Sequence, residues 1–272
     1  MRASIVQGLS FGDEGKGTTV EHLAQVHEAV AVVRFNGGPQ AAHHVVTAQG
    51  RSHCFAQLGA ASLQAGRETF LSRFCLVEPL AAMREAEVLA QHEGGSRALE
   101  RVWVDPGCVV VTPFHKHLNR LQELARGADR HGSCGLGVGQ AQLDSEKPLL
   151  PSVRVGDLLD LGVLRKKLRH LQLVKVDQAE QLLGRVEASA AMLDELGALK
   201  ERGLVEALVE GYARFWAAGA RVAGEGHLAR VAARGALVFE GAQGALLDRD
   251  YGFWPHVTPT RTTFHNALAL LE

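Results

Sequence analysis

Cysteine is scarce: 4 among 272 residues, at Cys54, Cys75, Cys108 and Cys134, with no Cys-x-x-Cys spacing. That scatter argues against a disulfide framework or a thiolate zinc site and fits free thiols in a reducing compartment. Long apolar runs are missing too. None approaches the ~18 residues of a membrane-spanning helix, and the N-terminus lacks the basic, apolar and cleavage regions of a signal peptide, so a cytoplasmic location is expected. Neither sign of charge dominates, since the 29 basic and 30 acidic residues leave a net charge of −1. Without basic blocks, nothing favours nucleic acid or an anionic membrane as partner. Repeats, low-complexity stretches and a Pro/Ser-rich linker are all absent. With 46% apolar residues the chain can bury a full core, and residues 1–272 are taken as a single domain.

What the chain does have is glycine in clusters. Gly8-Leu-Ser-Phe-Gly-Asp-Glu-Gly-Lys-Gly-Thr18 follows the apolar run Ala3 to Val6 and precedes a helical pattern. A buried strand, a glycine loop with a lysine and then a helix form an anion cradle: backbone N–H groups turn inward, Lys16 adds charge and the helix its dipole. The match to Gly-x-x-x-x-Gly-Lys-Ser/Thr is imperfect, so the loop is a cousin of the Walker loop. As a mere surface turn it would carry Asp13, Glu14 and Lys16 for no reason.

Ala29 to Phe35 reads as a strand covered on both faces, followed by the loop Asn36 to His44, where open α/β sheets place ligands. Val45–Thr47 and His53–Gln57 suggest a hairpin, Phe70–Phe74 a strand and Pro79–Gln91 an amphipathic helix. Arg101–Val104 and Val109–Val111 suggest two more strands, and Phe114–Ala125 a helix opening onto a second glycine-rich loop, Gly127 to Gly139. Residues 155–230 look mainly helical, with Arg165 to Arg169 as a solvated face. Ala236–Glu240 is the last strand, and Gly241-Ala-Gln-Gly244 a loop after it. Among the 13 histidines most lack ligand spacing, and His115 and His117 are read as core or surface residues. Strands alternating with helices predict a P-loop-like α/β fold: a mostly parallel central sheet flanked by helices, with a helical insertion.

On these islands the chain resembles the adenylosuccinate synthetase family. Phe11 to Gly17 is similar to the family's Trp-Gly-Asp-Glu-Gly-Lys-Gly, and Val32 to His43 to its strand ending in Gly-Gly-x-Asn-Ala-Gly-His-Thr. Arg126-Gly-Ala with Gly132-Ser-Cys-Gly-Leu-Gly-Val-Gly139, Arg154-Val-Gly-Asp-Leu158, Phe239 to Asp248 and Trp254 to Thr258 match in the same order.

The resemblance implies a ligase that spends GTP or ATP, with magnesium, to phosphorylate a carbonyl oxygen such as that of an IMP-like 6-oxopurine, which an amine then displaces. It implies Asp13 as general base and magnesium ligand, with the Ala42 carbonyl as a further magnesium contact. It makes His43 the general acid, and Lys16 with Gly12, Glu14, Gly15, Gly17 and Thr18 the phosphate cradle. Gln243 would bond the 6-oxo group, and Gln40, Thr258, Ser133 and Cys134 would face the nucleotide 5′-phosphate. His44 is taken as a neighbour only. The family is homodimeric, so a homodimer is expected.

Several positions depart from the family pattern. Gln40 stands for Asn, Cys134 for Thr, Leu136 for Arg and Ala42 for Gly, and Leu149-Leu150 stand where an Arg reaches the partner's nucleotide phosphate. Losing that Arg removes both charge and fork geometry, with Arg261 as the compensating cation. The chain ends at Glu272, before the family's loops for aspartate and guanine, which are expected to be absent. Three readings follow: an enzyme that keeps the phosphoryl-transfer half-reaction, a non-catalytic nucleotide-binding protein completed by a partner chain, and strict adenylosuccinate synthesis.

Overall fold

The computed structural model describes residues 2–92 and 94–272. β1 (Ala3–Gly8), α1 (Lys16–Val26) and β2 (Ala31–Arg34) are followed by a hairpin of β3 (His43–Val46) and β4 (Ser52–Phe55). Then come β5 (Glu68–Leu71), β6 (Leu76–Val77), α2 (Pro79–Leu89), β7 (Val102–Val104), β8 (Val109–Val110), α3 (Pro113–Arg126) and α4 (Val138–Ser145). The chain continues with α5 (Leu161–Leu183), α6 (Ala190–Leu199), α7 (Leu204–Ala217), β9 (Arg221–Val222), α8 (His227–Ala232), β10 (Leu237–Gly244) and α9 (His265–Leu271).

The six-stranded main sheet has the order β1-β10-β2-β5-β7-β9, and every neighbouring pair is parallel. Because side chains alternate across a strand, each central strand feeds two cores. Ala31, Val33, Leu237 and Phe239 pack with Val231 of α8 and Ala267 of α9. Val32 and Val238 face the other way, into a larger core with Val20 of α1, Leu89 of α2, Phe114 of α3 and Phe215 of α7. Burying one such large apolar side chain contributes about 1.5–3 kcal/mol. Two charged residues break this apolar layer. Arg34 and Glu240 lie opposite each other in the β2–β10 register and are almost wholly buried.

The parallel sheet with helices on both faces agrees with the sequence, but several boundaries move. α1 begins at Lys16 rather than after Thr18, because Gly15 takes a left-handed φ of 79° and serves as its N-cap. His43 and His44 lie inside β3, not in a loop before it. β5 starts two residues earlier than expected, and β6 and α4 are additional short elements. The stretch expected to be helical over 155–230 contains β9, which pairs with β7, so the inserted helices are α5 to α7. Two residues are too few for an alternating pattern to register.

Gly241 to Gly244 is the end of β10, not a loop after it. Val6 pairs with Glu240 and Gly8 with Gly244, so β10 spends two extra residues against β1 and bulges. Among the described residues, no helix is long and apolar enough to cross a membrane.

Candidate active site

The loop between β1 and α1 closes on a floor made by β3 and the bulged end of β10. Glycine makes that approach possible. A Cβ on Gly17 would lie 2.9 Å from the His43 side chain, and one on Gly12, at φ 113°, would lie 2.9 Å from the Gln243 backbone. Asn36 shapes the bulge from below: its Nδ2 donates to Ala242 O at 2.9 Å, and Ala242 N donates to its Oδ1 at 2.7 Å. Within the bulge Gln243 adopts φ 64°. A left-handed conformation costs a non-glycine residue roughly 1–2 kcal/mol and is kept where the surroundings impose it. The bulge turns Gln243 toward Thr260, whose hydroxyl donates to Gln243 Oε1 at 3.4 Å and lies 3.2 Å from the Thr258 hydroxyl.

Lys16 is buried and donates to Gly12 O at 2.6 Å. Burial pulls its ammonium below the ordinary lysine value, with the Glu14 and Asp13 charges opposing that shift. Ser10 N and Gly12 N donate to Glu14 Oε1 at 2.6 and 3.2 Å, so a carboxylate of the loop itself fills part of the cradle. Burial works against the ionised Glu14, but those N–H groups prevail and hold its carboxyl below the usual value. Thr18 donates its hydroxyl to His44 O at 3.2 Å, tying α1 to β3. The Asp13 side chain is exposed and has no hydrogen-bond partner among the described residues.

Behind the loop sits a group that sequence reading missed. His43 Nδ1 makes a short hydrogen bond to Glu240 Oε1, and Ala60 N donates to Glu240 Oε2 at 3.0 Å. Burial pushes the Glu240 carboxyl up, yet the Arg34 guanidinium, the His43 bond and the Ala60 N–H outweigh it and hold it below the ordinary carboxylate range. An ionised carboxylate only accepts, so the proton on this bond belongs to Nδ1, and Nε2 remains for chemistry. Arg34 Nη1 is anchored on Gln57 O at 3.1 Å. The signal was present in the sequence as one Arg and one Glu, each within an otherwise apolar strand.

The remaining candidates divide. The φ of Ala42 is not positive, so replacing glycine there strains nothing. Gln40 lies over Gly38, with its Oε1 buried and unpartnered. Ser133 and Cys134 stand on the second glycine-rich loop. They line a cavity of about 480 Å³ with Arg120, Glu123 and Arg130. There Glu123 Oε2 accepts from Gly132 N at 2.9 Å and Ser133 N at 3.3 Å, so its own N–H donors are also taken. Arg261 Nε donates to Asp250 Oδ2 at 2.8 Å. Among the described residues no cluster of three or more His, Cys, Asp or Glu side chains could hold a metal alone.

Residues 5–271 match the family model described as adenylosuccinate synthetase. The chain belongs to the adenylosuccinate synthetase family. It is 31% identical over 271 residues to the adenylosuccinate synthetase of Marinomonas sp., covering 97% of this chain and 57% of that protein. The Pseudomonas fluorescens synthetase is 34% identical over 263 residues, covering 95% and 56%. Thus the chain spans little more than half the length of these curated relatives.

Two solved structures share the family fold. A fully ligated adenylosuccinate synthetase from Plasmodium falciparum superposes with a TM-score of 0.76 at 19% identity, covering 98% of this chain and 57% of that one. The succinoaminodeoxyadenylate synthetase of cyanophage S-2L, solved with dGMP and with dATP as energy donor, gives 0.62 at 16% identity, covering 98% and 59%.

Proposed function

We propose that this chain, acting as a single domain, is an adenylosuccinate synthetase-like ligase that phosphorylates a carbonyl oxygen with a purine nucleoside triphosphate. The observation that carries this reading is the buried His43–Glu240 pair directly beneath the phosphate loop, with the Gln243 bulge packed against the same loop. Lys16 and the N-terminus of α1 receive the triphosphate. Gln243 holds the oxo group of the acceptor, and Asp13, free at the mouth, takes the proton from the adjacent ring nitrogen. The acceptor oxygen forms a bond to the γ-phosphorus while the bond from that phosphorus to the nucleoside diphosphate breaks. His43, as an imidazolium whose Nδ1–H is held by the Glu240 carboxylate, donates its Nε2–H to the transferring phosphoryl group. An amine then bonds to the carbon as inorganic phosphate leaves.

Magnesium fits this site, since it needs one or two carboxylates plus phosphate oxygens, and Asp13 with the Ala42 carbonyl would hold it. When bound it neutralises phosphate charge. GTP and ATP are both candidate donors, and a homodimer belongs to the same reading.

Incubating the protein with magnesium, either triphosphate, IMP or inosine, and aspartate tests it. Phosphate release should require both the triphosphate and the oxopurine and fall ~10²–10⁴-fold in Asp13→Asn. Equal turnover in wild type and Asp13→Asn would overturn the proposal.

A second reading is favoured by one observation. Glu14 occupies the Ser10 and Gly12 N–H groups while Lys16 is tied to Gly12 O, so the cradle is partly closed on itself. On that reading the chain binds nucleotide without turnover and is completed by a partner chain. Triphosphate binding without phosphate release, across all acceptors, would select it.

A further inference from the structure

Glu85, on the buried side of α2, carries a carboxylate that the proposed reaction does not use. It points at the turn that follows β4. Oε1 accepts from Ala56 N at 2.9 Å and Oε2 from Gln57 N at 2.8 Å, while Leu58 N reaches the two oxygens at 3.3 and 3.4 Å. His53 Nε2 stands 4.0 Å from Oε1, beyond hydrogen-bond reach, so the acceptor capacity of Glu85 goes to the turn. Burial pushes the Glu85 carboxyl up, and the N–H groups of the turn with the Arg34 guanidinium oppose that shift.

The same turn faces the reactive pair. Gly59 N donates to Thr69 Oγ1 at 3.0 Å and Ala60 N to Glu240 Oε2 at 3.0 Å, so five successive N–H groups each meet a side-chain acceptor. On the opposite side of the backbone, Gln57 O and Leu58 O accept from Arg34 Nη1 at 3.1 and 3.5 Å. A Cβ on Gly59 would lie 2.7 Å from Val32, which places the turn directly against β2, two residues before Arg34. Residues 56–60 thus join two buried carboxylates, Glu85 at one end and Glu240 at the other, with Arg34 between them. A turn that only covered the core would need no second buried carboxylate, whose desolvation its hydrogen bonds have to offset.

We propose that Glu85 is a positioning residue for the His43–Glu240 pair: it fixes the 56–60 turn, and the turn holds Ala60 N and Arg34 beside the Glu240 carboxylate that orients His43. This rests on the reading of His43 as donor to the transferring phosphoryl group. Without the Glu85 carboxylate three buried N–H groups lack their acceptor, and the turn shifts to satisfy them. Ala60 N and the anchor of Arg34 shift with it. A donor displaced from its line to the phosphoryl group costs turnover, whereas the triphosphate contacts at Lys16 and the N-terminus of α1 stay in place.

The test is proton NMR and steady-state kinetics on the whole protein, in wild type and Glu85→Gln. In wild type the Nδ1 proton of His43, shielded from exchange by Glu240, should give a far-downfield resonance, assigned by its loss in His43→Gln. Glu85→Gln keeps the volume but turns one acceptor into a donor. The resonance should broaden or move upfield, kcat should fall roughly ten- to a hundredfold, and the KM for triphosphate should stay as it is. Glu78→Ala is the structural control. It removes the cap of the same helix, where Glu78 accepts from Leu80 N at 3.1 Å and Ala81 N at 2.7 Å, and should lower stability while leaving resonance and kcat unchanged.

No such resonance in wild type, an unchanged resonance in Glu85→Gln, an unchanged kcat in that variant of an active wild type, or an equal change in Glu78→Ala would overturn the positioning role. Should Glu85→Gln not fold, Thr69→Val removes the Gly59 N acceptor from the same turn, and a resonance that does not move there overturns the proposal. The resonance needs no substrate. If it moves in Glu85→Gln while the wild type turns over no acceptor, the positioning of the pair holds and the proposed function fails.

Discussion

The two glycine-rich loops look alike as sequence and differ in what lies behind them. Gly8 to Thr18 rests on β3 and the β10 bulge, with His43, Glu240 and Arg34 buried underneath. Gly127 to Gly139 runs along the exposed side of α3, and a Cβ on Gly127 or Gly132 would touch nothing within 4 Å. Glycine in the first loop permits close approach to His43 and to the Gln243 backbone. In the second, Gly127 and Gly132 serve local turns at positive φ, 56° and 69°, while a Cβ on Gly137 would lie 2.5 Å from the backbone of buried His115.

The sharpest way to break this contrast is to remove the support. Glu240→Gln keeps the volume and discards the charge, so the His43 ring loses its orienting acceptor. Turnover is expected to fall ~10²-fold or more, with little change in triphosphate affinity, in steady-state kinetics. An unchanged kcat would make the buried pair purely structural.

Next in size is a matched pair of glycine changes. Gly17→Ala places a Cβ 2.9 Å from His43, so the loop must move off its floor. It should lose ~1–3 kcal/mol of stability in urea titration, along with triphosphate binding. Gly132→Ala meets open space and strains only its φ, with a cost of ~1–2 kcal/mol and no effect on triphosphate binding. Equal losses of binding from both would erase the distinction between the loops.

The smallest effect is on acid stability. The Glu240 carboxyl is held below its ordinary value, so its ionised form contributes stability that is fully present above the unfolded carboxylate pKa of about 4.3. That contribution is lost as pH falls through the lower, folded value. Glu240→Gln should therefore show a shallower loss of stability than wild type below about pH 4. An identical acid profile would mean that the buried carboxylate is not ionised.

The strand order could be anticipated only in outline, while the phosphate loop was legible almost residue by residue. Lys16 could be named because a glycine loop after an apolar strand is a local pattern with a local cause, whereas Asp13, His43 and Gln243 were named by what the family resemblance implies. The start of α1 was placed late because the left-handed Gly15 cap is set by the loop's own path. Gly241 to Gly244 looked like a turn, since nothing in four successive residues records that a neighbouring strand will pair with them and force a bulge.

By itself, the sequence determined the alternation of strands and helices and the glycine-rich turn between β1 and α1. These depend on contacts within a few positions along the chain. Tertiary structure decided the rest: the pairing of His43 with Glu240, 197 residues away; the Asn36 clamp on Ala242, 206 residues away; and the cavity that Ser133 and Cys134 share with Arg120 and Glu195. Each of these depends on which elements become neighbours in the fold. That choice is made by the burial of whole faces, to which no single segment holds the key.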